Sequence, residues 1–259
     1  MLAPFEASKL KLERAEGHLQ EFEAAVAVYL KGKPCVLLVE RFGLSETLTE
    51  AQSWNVRIRE HVPSRFSAVI GDIIHNLRTA LDLLACDLVA VSGHAPTKVY
   101  FPFSASADEL PAMIRKRKVH LAGSDIASAI ESLKPYKGGI VALRAIHDLD
   151  LTDKHRALLP TLAAVSVPLR GLLGPNVPEA MMNFHSLVAK DGQMIIGTTR
   201  SLRLPLGMEI PSSFYLALDF GDPIGHRVAI DGLRDLANEA SRVTHMLAAL
   251  RPGAAFAQI

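Results

Sequence analysis

The chain has 259 residues, of which 49% are hydrophobic and 21% are charged, a balance typical of a well-packed globular protein rather than a disordered one. Its 28 Lys and Arg residues offset 27 Asp and Glu residues, and the net charge of +1 provides no global field to attract a polyanion. The N-terminal residues carry charges where a secretory signal needs an apolar core, and no stretch reaches the roughly 20 apolar residues of a membrane span. We therefore expect a cytoplasmic protein with no membrane segment, for which nucleic acid is not the expected partner.

The first half of the chain alternates helical and strand patterns. A helical pattern comes first, two β-type runs follow as a hairpin, and the longest helical pattern comes next. Prolines then hold one segment extended before two shorter helices. The predicted elements are helix 5–31, strands 35–42 and 54–62 joined by the loop Ser45–Gln52, helix 64–91, extended segment 94–103, and helices 106–119 and 124–133.

The second half contains a helix, a β-rich region and a closing helix. The helical pattern over 140–159 is expected to be interrupted at 150–152. Four β-type runs separated by turn signals predict an antiparallel meander over 161–222, and the last helix spans 227–250. The order of elements predicts the α+β class, with a helical bundle packed against an antiparallel β-sheet. We expect one domain over 1–259, mainly helical over 1–160 with the hairpin 35–62 inserted.

The two cysteines lie in apolar runs and share no metal-binding or redox spacing. Cys35 follows Pro34 in PCVLLVERF, and Cys86 lies within LDLLACDLV. Both are expected to be buried, reduced thiols rather than nucleophiles or disulfide partners.

An unusual polar cluster lies on the longest predicted helix, in GDIIHNLRTALDLLA at 71–85. No Lys, Glu or Gln occurs between Ser64 and Val91, although these residues normally fill a solvated helix face. The pattern favours a polar stripe enclosed by protein or lining a cleft, and an ordinary wet face is the alternative. At 100° per residue the apolar side carries Ile70, Ile74, Leu77, Leu81, Leu84 and Leu88, and the stripe carries Asp72, His75, Arg78, Thr79 and Asp82.

A second polar cluster follows in HDLDLTDKHR at 147–156. Capping of a new helical turn by Thr152 or Asp150 would explain part of it. If the two helices pack side by side, Arg78 could pair with Asp153, while Asp82 could hold Arg156 or orient His155. Such interlocked ion pairs would suit a structural clamp as well as an active site.

The residue types in the two clusters indicate general acid–base chemistry. A His can accept a proton near neutral pH when an Asp fixes its tautomer, and Arg or Lys can stabilise an anion. A divalent ion is an alternative, but no HExxH, ExxH or DxDxDG motif is present. The candidate catalytic residues are His75, Asp82, Asp153 and His155; the candidate substrate-binding residues are Arg78, Lys154, Arg156 and Asn76; and the candidate metal ligands are His75, Asp82, Asp150, Asp153 and His155.

The strings GDIIHNLRTALDLLA, VYFPF, SLKPY and DKHR, in this order, resemble a broad set of uncharacterised bacterial proteins with GDxxHNLRxALDxL and DKHR segments. The resemblance covers about 65–156 and implies that the two clusters form one unit; it implies no particular activity. The helical part also loosely resembles the HEPN ribonuclease class, whose Arg-to-His spacing occurs between Arg115 and His120 in the basic run RKRKVH. Pairs with this spacing arise by chance in a chain of this composition, and a solvated helix end is the commoner meaning of such a run.

Three hypotheses follow from the sequence. The first is a hydrolase acting on a small ester, lactone or amide by His/Asp general acid–base chemistry, with or without a divalent ion. The second is an HEPN-like RNase whose cleft is bordered by the basic run. The third is a non-catalytic binding or scaffold protein with a buried ion-pair network. The sequence leaves the oligomeric state open.

Overall fold

The computed structural model describes residues 2–41, 52–166, 193–199, 205–210 and 212–251. Within these residues, helices and antiparallel strands confirm the predicted α+β class. The helices are α1 (Glu6–Lys31), α2 (Arg65–Val91), α3 (Leu110–Lys116), a 3-10 helix (Val119–Ala122), α4 (Ser124–Ser132), α5 (Val141–His155) and α6 (Ala229–Ala248). The strands are β1 (Cys35–Arg41), β2 (Gln52–Ile58), β3 (Thr161–Ser166), β4 (Gln193–Thr199), β5 (Glu209–Ile210), β6 (Ser213–Asp219) and β7 (His226–Val228).

The chain divides into two compact units. The helical unit comprises 1–22, 65–159 and 219–259, and the strand unit comprises 23–64 and 160–218. The chain therefore leaves the helical unit within α1 and returns to it at the start of α2. The assignment of 1–259 to one domain stays a prediction.

Helix α2 lies at the centre of the helical unit. It packs against α5, α6 and the 3-10 helix. Edge-to-face packing of Phe22 on Phe66, with ring centroids 5.4 Å apart, joins the start of α2 to α1. The apolar side predicted from the helical period is confirmed, because every one of its six residues is fully buried: Ile70, Ile74, Leu77, Leu81, Leu84 and Leu88.

Helix α5 is continuous, so the interruption predicted at 150–152 is wrong. The Thr152 hydroxyl donates to the Asp148 carbonyl within the helix instead of capping a new turn. Asp150 is only 3% exposed and belongs to the buried side of the helix. The helix ends where Arg156 turns to an extended conformation, four residues before Pro160.

The strand unit holds antiparallel pairs that differ from the predicted meander. The predicted pairing of the first two strands is confirmed, since β1 and β2 are antiparallel from Cys35↔Ile58 to Arg41↔Gln52. However, β4 and β5 add to the two sides of this pair, in the order β4-β2-β1-β5, while β3 pairs with β6. The described strands after 160 therefore do not form a single meander, because two of them extend the earlier hairpin. The predicted run MMNFHSLV at 181–188 and most of the loop Ser45–Gln52 lie outside the described residues.

Membrane insertion finds no support in the helices. Among the described residues, none forms part of a helix with both the length and the apolar character needed to cross a bilayer.

Candidate functional site

The two polar clusters meet along the antiparallel pair of helices α2 and α5. Arg78 and His147 both pack on the Phe103 ring, His75 contacts Asp150, and Gly71 faces Asp153. Moving from Arg78 to His75 to Gly71 towards the start of α2 corresponds to moving from His147 to Asp150 to Asp153 towards the end of α5. Since a three-residue step advances a helix by about 4.5 Å, this register decides which charges can meet. The prediction that the two clusters form one unit agrees with this arrangement.

His75 has the geometry of an oriented base. Its Nδ1 lies 3.1 Å from Asp150 Oδ1, and its Nε2 lies 3.5 Å from Thr79 Oγ1. The His75 side chain is 58% exposed, whereas that of Asp150 is 4% exposed. A buried carboxylate that accepts the Nδ1 proton fixes the tautomer in which Nε2 is free to accept a proton.

Lys154 completes this group of residues. Its Nζ lies 2.5 Å from Asp150 Oδ2, so the two oxygens of one buried carboxylate bind an imidazole and an ammonium group. This hydrogen-bonded pairing compensates for the cost of burying the Asp150 charge. We refer to Thr79, His75, Asp150 and Lys154 as the exposed cluster.

Arg78 and Asp82 form a second group with a different character. Arg78 Nη1 lies 2.5 Å from Asp82 Oδ1, which also accepts the backbone N–H of Phe101 at 2.8 Å. The Arg78 guanidinium lies 4.8 Å from the centre of the Phe103 ring, and its side chain is only 11% exposed. These contacts tie the extended segment after α2 back onto the helix. We refer to Arg78, Asp82 and Phe101 as the clamp.

The pairings predicted between the two clusters are wrong, and the helix register explains why. Arg78 binds Asp82 on its own helix instead of Asp153. Asp153 lies against Gly71, which is two turns, or about 10.5 Å, away from Arg78 along α2. Arg156 lies still farther in that direction, so it does not reach Asp82.

Gly71 allows the close approach of α5 to α2. A Cβ atom at this position would lie 2.5 Å from Asp153 Oδ2 and 2.8 Å from Oδ1. Any side chain here would therefore require the Asp153 carboxylate to move. Burial, together with the charges of Asp150 and Asp72, raises the pKa of the Asp153 carboxyl.

His147 occupies the apolar side of the same helix pair. Its ring stacks on Phe103 with an interplanar angle of 2° and a centroid distance of 4.7 Å. Burial, reinforced by the charges of Arg78 and Arg144, lowers the pKa of the His147 imidazole to about 4. Its Nδ1 is buried and has no hydrogen-bond partner among the described residues. His147 is therefore a partly buried residue with a neutral imidazole near pH 7 rather than an oriented proton acceptor.

The remaining candidates do not join the exposed cluster. Asn76 is buried and satisfied by neighbours, since it accepts from Lys11 Nζ and donates to the Asp72 carbonyl. His155 and Arg156 are exposed at the end of α5, and neither side chain forms a hydrogen bond or ion pair with another described residue. Of the candidate catalytic residues, the structure thus gives His75 an oriented geometry, places Asp82 in the clamp, and sets Asp153 beside Gly71.

No divalent-ion site is formed by the candidate ligands. In the parts of the chain that the structure describes, no three His, Cys, Asp or Glu side chains are grouped so that they could hold a metal ion. Lys154 occupies the second oxygen of Asp150, where a cation would otherwise have to bind.

The thiols offer no competing nucleophile. Both cysteines are free, as expected, with Cys35 buried and Cys86 partly buried. Burial raises the pKa of the Cys35 thiol to about 12, and burial with the charges of Asp82 and Asp87 raises that of Cys86. A reactive thiolate is therefore disfavoured at both positions.

Three of the cavities formed by described residues contain no residue of the exposed cluster. They have volumes of about 510, 530 and 570 Å³, and His75 lines none of these three. Arg115 and His120 are both exposed, and neither contacts a member of the exposed cluster.

Comparisons with known proteins leave this site without a counterpart. No protein-family profile, no curated protein and no solved structure matches the chain. The resemblance to bacterial proteins with GDxxHNLRxALDxL and DKHR segments accordingly stays a prediction, and conclusions about function depend on the geometry of the two helices.

Proposed function

We propose that this protein is a hydrolase of small esters, lactones or amides in which His75 is the general base and Asp150 orients it. One observation carries the proposal: a 58% exposed imidazole bound at 3.1 Å to a carboxylate that is almost fully buried. A purely structural ion pair would not need to leave more than half of the imidazole side chain exposed. The cytoplasmic location and the preference for a small substrate stay predictions from the sequence.

The proposed roles follow from the contacts of the exposed cluster. Asp150 accepts the Nδ1 proton of His75, which leaves the Nε2 lone pair to remove a proton from an attacking hydroxyl group. The His75–Asp150 pair also stabilises the imidazolium that forms in this step. Lys154 holds the other carboxylate oxygen and supplies a positive charge beside the oxyanion that develops on the substrate.

The test is hydrolysis of p-nitrophenyl acetate, dihydrocoumarin and p-nitroacetanilide, which represent an ester, a lactone and an amide. We expect His75→Gln and Asp150→Asn to lower kcat/KM by about 100-fold or more, because general-base catalysis typically contributes 10²–10⁴-fold. His94→Gln is the matched control, since His94 is exposed and lies outside both clusters. Equal rates for the wild type and His75→Gln on all three substrates would refute the proposal.

A non-catalytic binding or scaffold role is the second candidate function. The clamp favours it, because Arg78, Asp82 and the Phe101 backbone satisfy one another and leave little surface for a ligand. In that case the replacement of His75 would change the free energy of unfolding and would have no effect on the rate of hydrolysis. No contact in the described residues favours the HEPN-like RNase.

A further inference from the structure

Several hydroxyl groups within the helices donate to the carbonyl group one turn earlier. This bond satisfies the hydroxyl, but a carbonyl oxygen is too weak a base to take up its proton and activate it as a nucleophile. Four residues in the described helices and their ends show it, at distances between 2.8 and 3.0 Å: Ser92, Ser132, Thr152 and Thr244.

The hydroxyls of Thr79 and Ser241 each lie one turn from a histidine instead. The ring nitrogen that faces Ser241, His245 Nδ1, also contacts the Ser241 carbonyl oxygen at 2.8 Å, so it is already engaged with the backbone. Thr79 Oγ1 lies 3.5 Å from Nε2 of His75, the residue one turn earlier, so it faces an imidazole instead of a carbonyl. Among the described residues, Thr79 supplies the one hydroxyl in contact with His75. Thr79 is only partly buried, which leaves its oxygen open to a substrate.

Thr79, His75 and Asp150 thus follow the order of a nucleophile, a base and an orienting carboxylate. The two distances are 3.5 Å and 3.1 Å, and the carboxylate is buried. A nucleophile–base distance at the outer limit of hydrogen bonding is common in a free enzyme, and it shortens when substrate binds. The three residues come from two packed helices rather than from flexible loops, which holds their relative positions fixed.

We infer that Thr79 is the nucleophile of the proposed hydrolase and that the reaction passes through an acyl-threonine intermediate. This inference rests on the proposed function, because it assigns the attacking hydroxyl that His75 activates. It also narrows the substrate class to acyl compounds with a small acyl group, since the Thr79 methyl group crowds its own oxygen.

The reaction balances without any cofactor. Thr79 Oγ1 attacks the carbonyl carbon while its proton passes to His75 Nε2, and the carbonyl electron pair moves onto oxygen. Collapse of this oxyanion breaks the bond to the leaving group, which takes the proton from His75 as it departs. Water then attacks the acyl-threonine ester, His75 accepts its proton and returns it to Thr79 Oγ1, and the carboxylic acid is released.

The experiment uses the full chain with p-nitrophenyl acetate, quenched in acid during the first turnover. We expect an increase by the mass of one acetyl group, located at Thr79 by peptide sequencing in the mass spectrometer. The adduct should be released by neutral hydroxylamine, which cleaves esters but leaves acetylated lysines intact. Thr79→Ser should keep both adduct and turnover, whereas the isosteric Thr79→Val should lose the adduct and at least about 100-fold in kcat/KM.

Thr152→Val is the matched control, because Thr152 also lies on a helix but donates to the backbone. It should leave the adduct and the rate unchanged. Wild-type turnover by Thr79→Val combined with an inactive His75→Gln would overturn the inference and leave the proposed function intact, with water as the direct nucleophile. Absence of hydrolysis in the wild type would overturn both. Far-UV circular dichroism and thermal unfolding of Thr79→Val distinguish a folded from a misfolded variant, and Thr79→Ser provides the second, conservative test.

Discussion

The exposed cluster and the clamp alternate along α2, yet they relate to solvent in opposite ways. In the clamp an almost buried arginine meets a carboxylate that also binds the backbone, so each charge is satisfied by protein. In the exposed cluster the carboxylate is buried, and its two partners, His75 and Lys154, are each more than half exposed. The comparison shows that one polar stripe on a helix can carry both a structural ion pair and an exposed histidine that is oriented by a buried carboxylate. The clamp fixes the helix and its following segment, while the exposed cluster keeps a base available.

The largest effect on stability is expected at the clamp. Asp82→Ala removes the acceptor of both Arg78 and the Phe101 backbone N–H and leaves the largely buried Arg78 charge unpaired. We therefore expect the free energy of unfolding to fall by about 3 kcal/mol. Urea unfolding measures this change. Glu13→Ala is the matched control, since Glu13 pairs with Lys9 at the surface and should contribute less than about 1 kcal/mol. An equal loss in the free energy of unfolding for Asp82→Ala and Glu13→Ala would contradict the distinction between a clamp and a surface ion pair.

The next largest effect concerns the register of the two helices. Gly71→Ala places a Cβ atom against the Asp153 carboxylate, which has to move, and this overpacking should destabilise by about 1 kcal/mol. Gly17→Ala in α1 has open space for its Cβ and should stabilise by up to about 1 kcal/mol. Thermal and urea unfolding measure both changes. Adding Asp153→Ala to Gly71→Ala should restore most of the lost free energy of unfolding. If it does not, Gly71 is not required to make room for Asp153.

A pH effect is expected from His147. Its pKa of about 4 in the folded protein lies below the usual 6.5, so the unfolded chain binds the extra proton first as the pH falls. Stability should therefore be lost between pH 6.5 and about 4, and His147 should contribute no further change below that range. Because part of the ring reaches solvent, the expected contribution is about 1 kcal/mol. In urea unfolding at a series of pH values, the free energy of unfolding should fall less steeply with decreasing pH in His147→Gln than in the wild type. Identical pH profiles for the two proteins would show that His147 does not cause the loss of stability.

The smallest effect is expected at Asp153. Burial and the neighbouring Asp150 raise its carboxyl pKa, so the charged form is disfavoured in the folded protein. Asp153→Asn should accordingly stabilise the protein near neutral pH by about 0.5 kcal/mol. The gain should shrink as the pH falls through the raised pKa, where the wild-type carboxyl becomes neutral. A gain that does not change with pH would show that charge is not its cause.

The sequence predicts the faces of α2 well, but it does not predict which charges meet. Helical periodicity alone places Ile70, Ile74 and Leu77 in the core, because the burial of one face depends on local spacing. The partners of Arg78 and Asp82 depend on how far α5 slides along α2, and no local pattern reports this distance. The signal that was available is Gly71, whose cost within a helix implies that another element approaches closely.

Asp150 shows the same limit from the other helix. From the sequence it could be a helix cap or a metal ligand, since both uses suit a carboxylate in a polar run. Its role as the buried partner of His75 and Lys154 becomes visible only when α5 continues through 150–152 and turns this residue towards α2. The proposed role of Thr79 likewise could not be predicted from the sequence, because it depends on the orientation of the His75 ring, which Asp150 fixes.

The most direct test of this account compares catalysis and stability in one variant, His75→Gln. We predict that kcat/KM for p-nitrophenyl acetate falls by about 100-fold or more, while the free energy of unfolding of the same preparation changes by less than about 1 kcal/mol. The opposite pattern, an unchanged rate with a loss of 2 kcal/mol or more, would make His75 a second structural clamp and contradict the account.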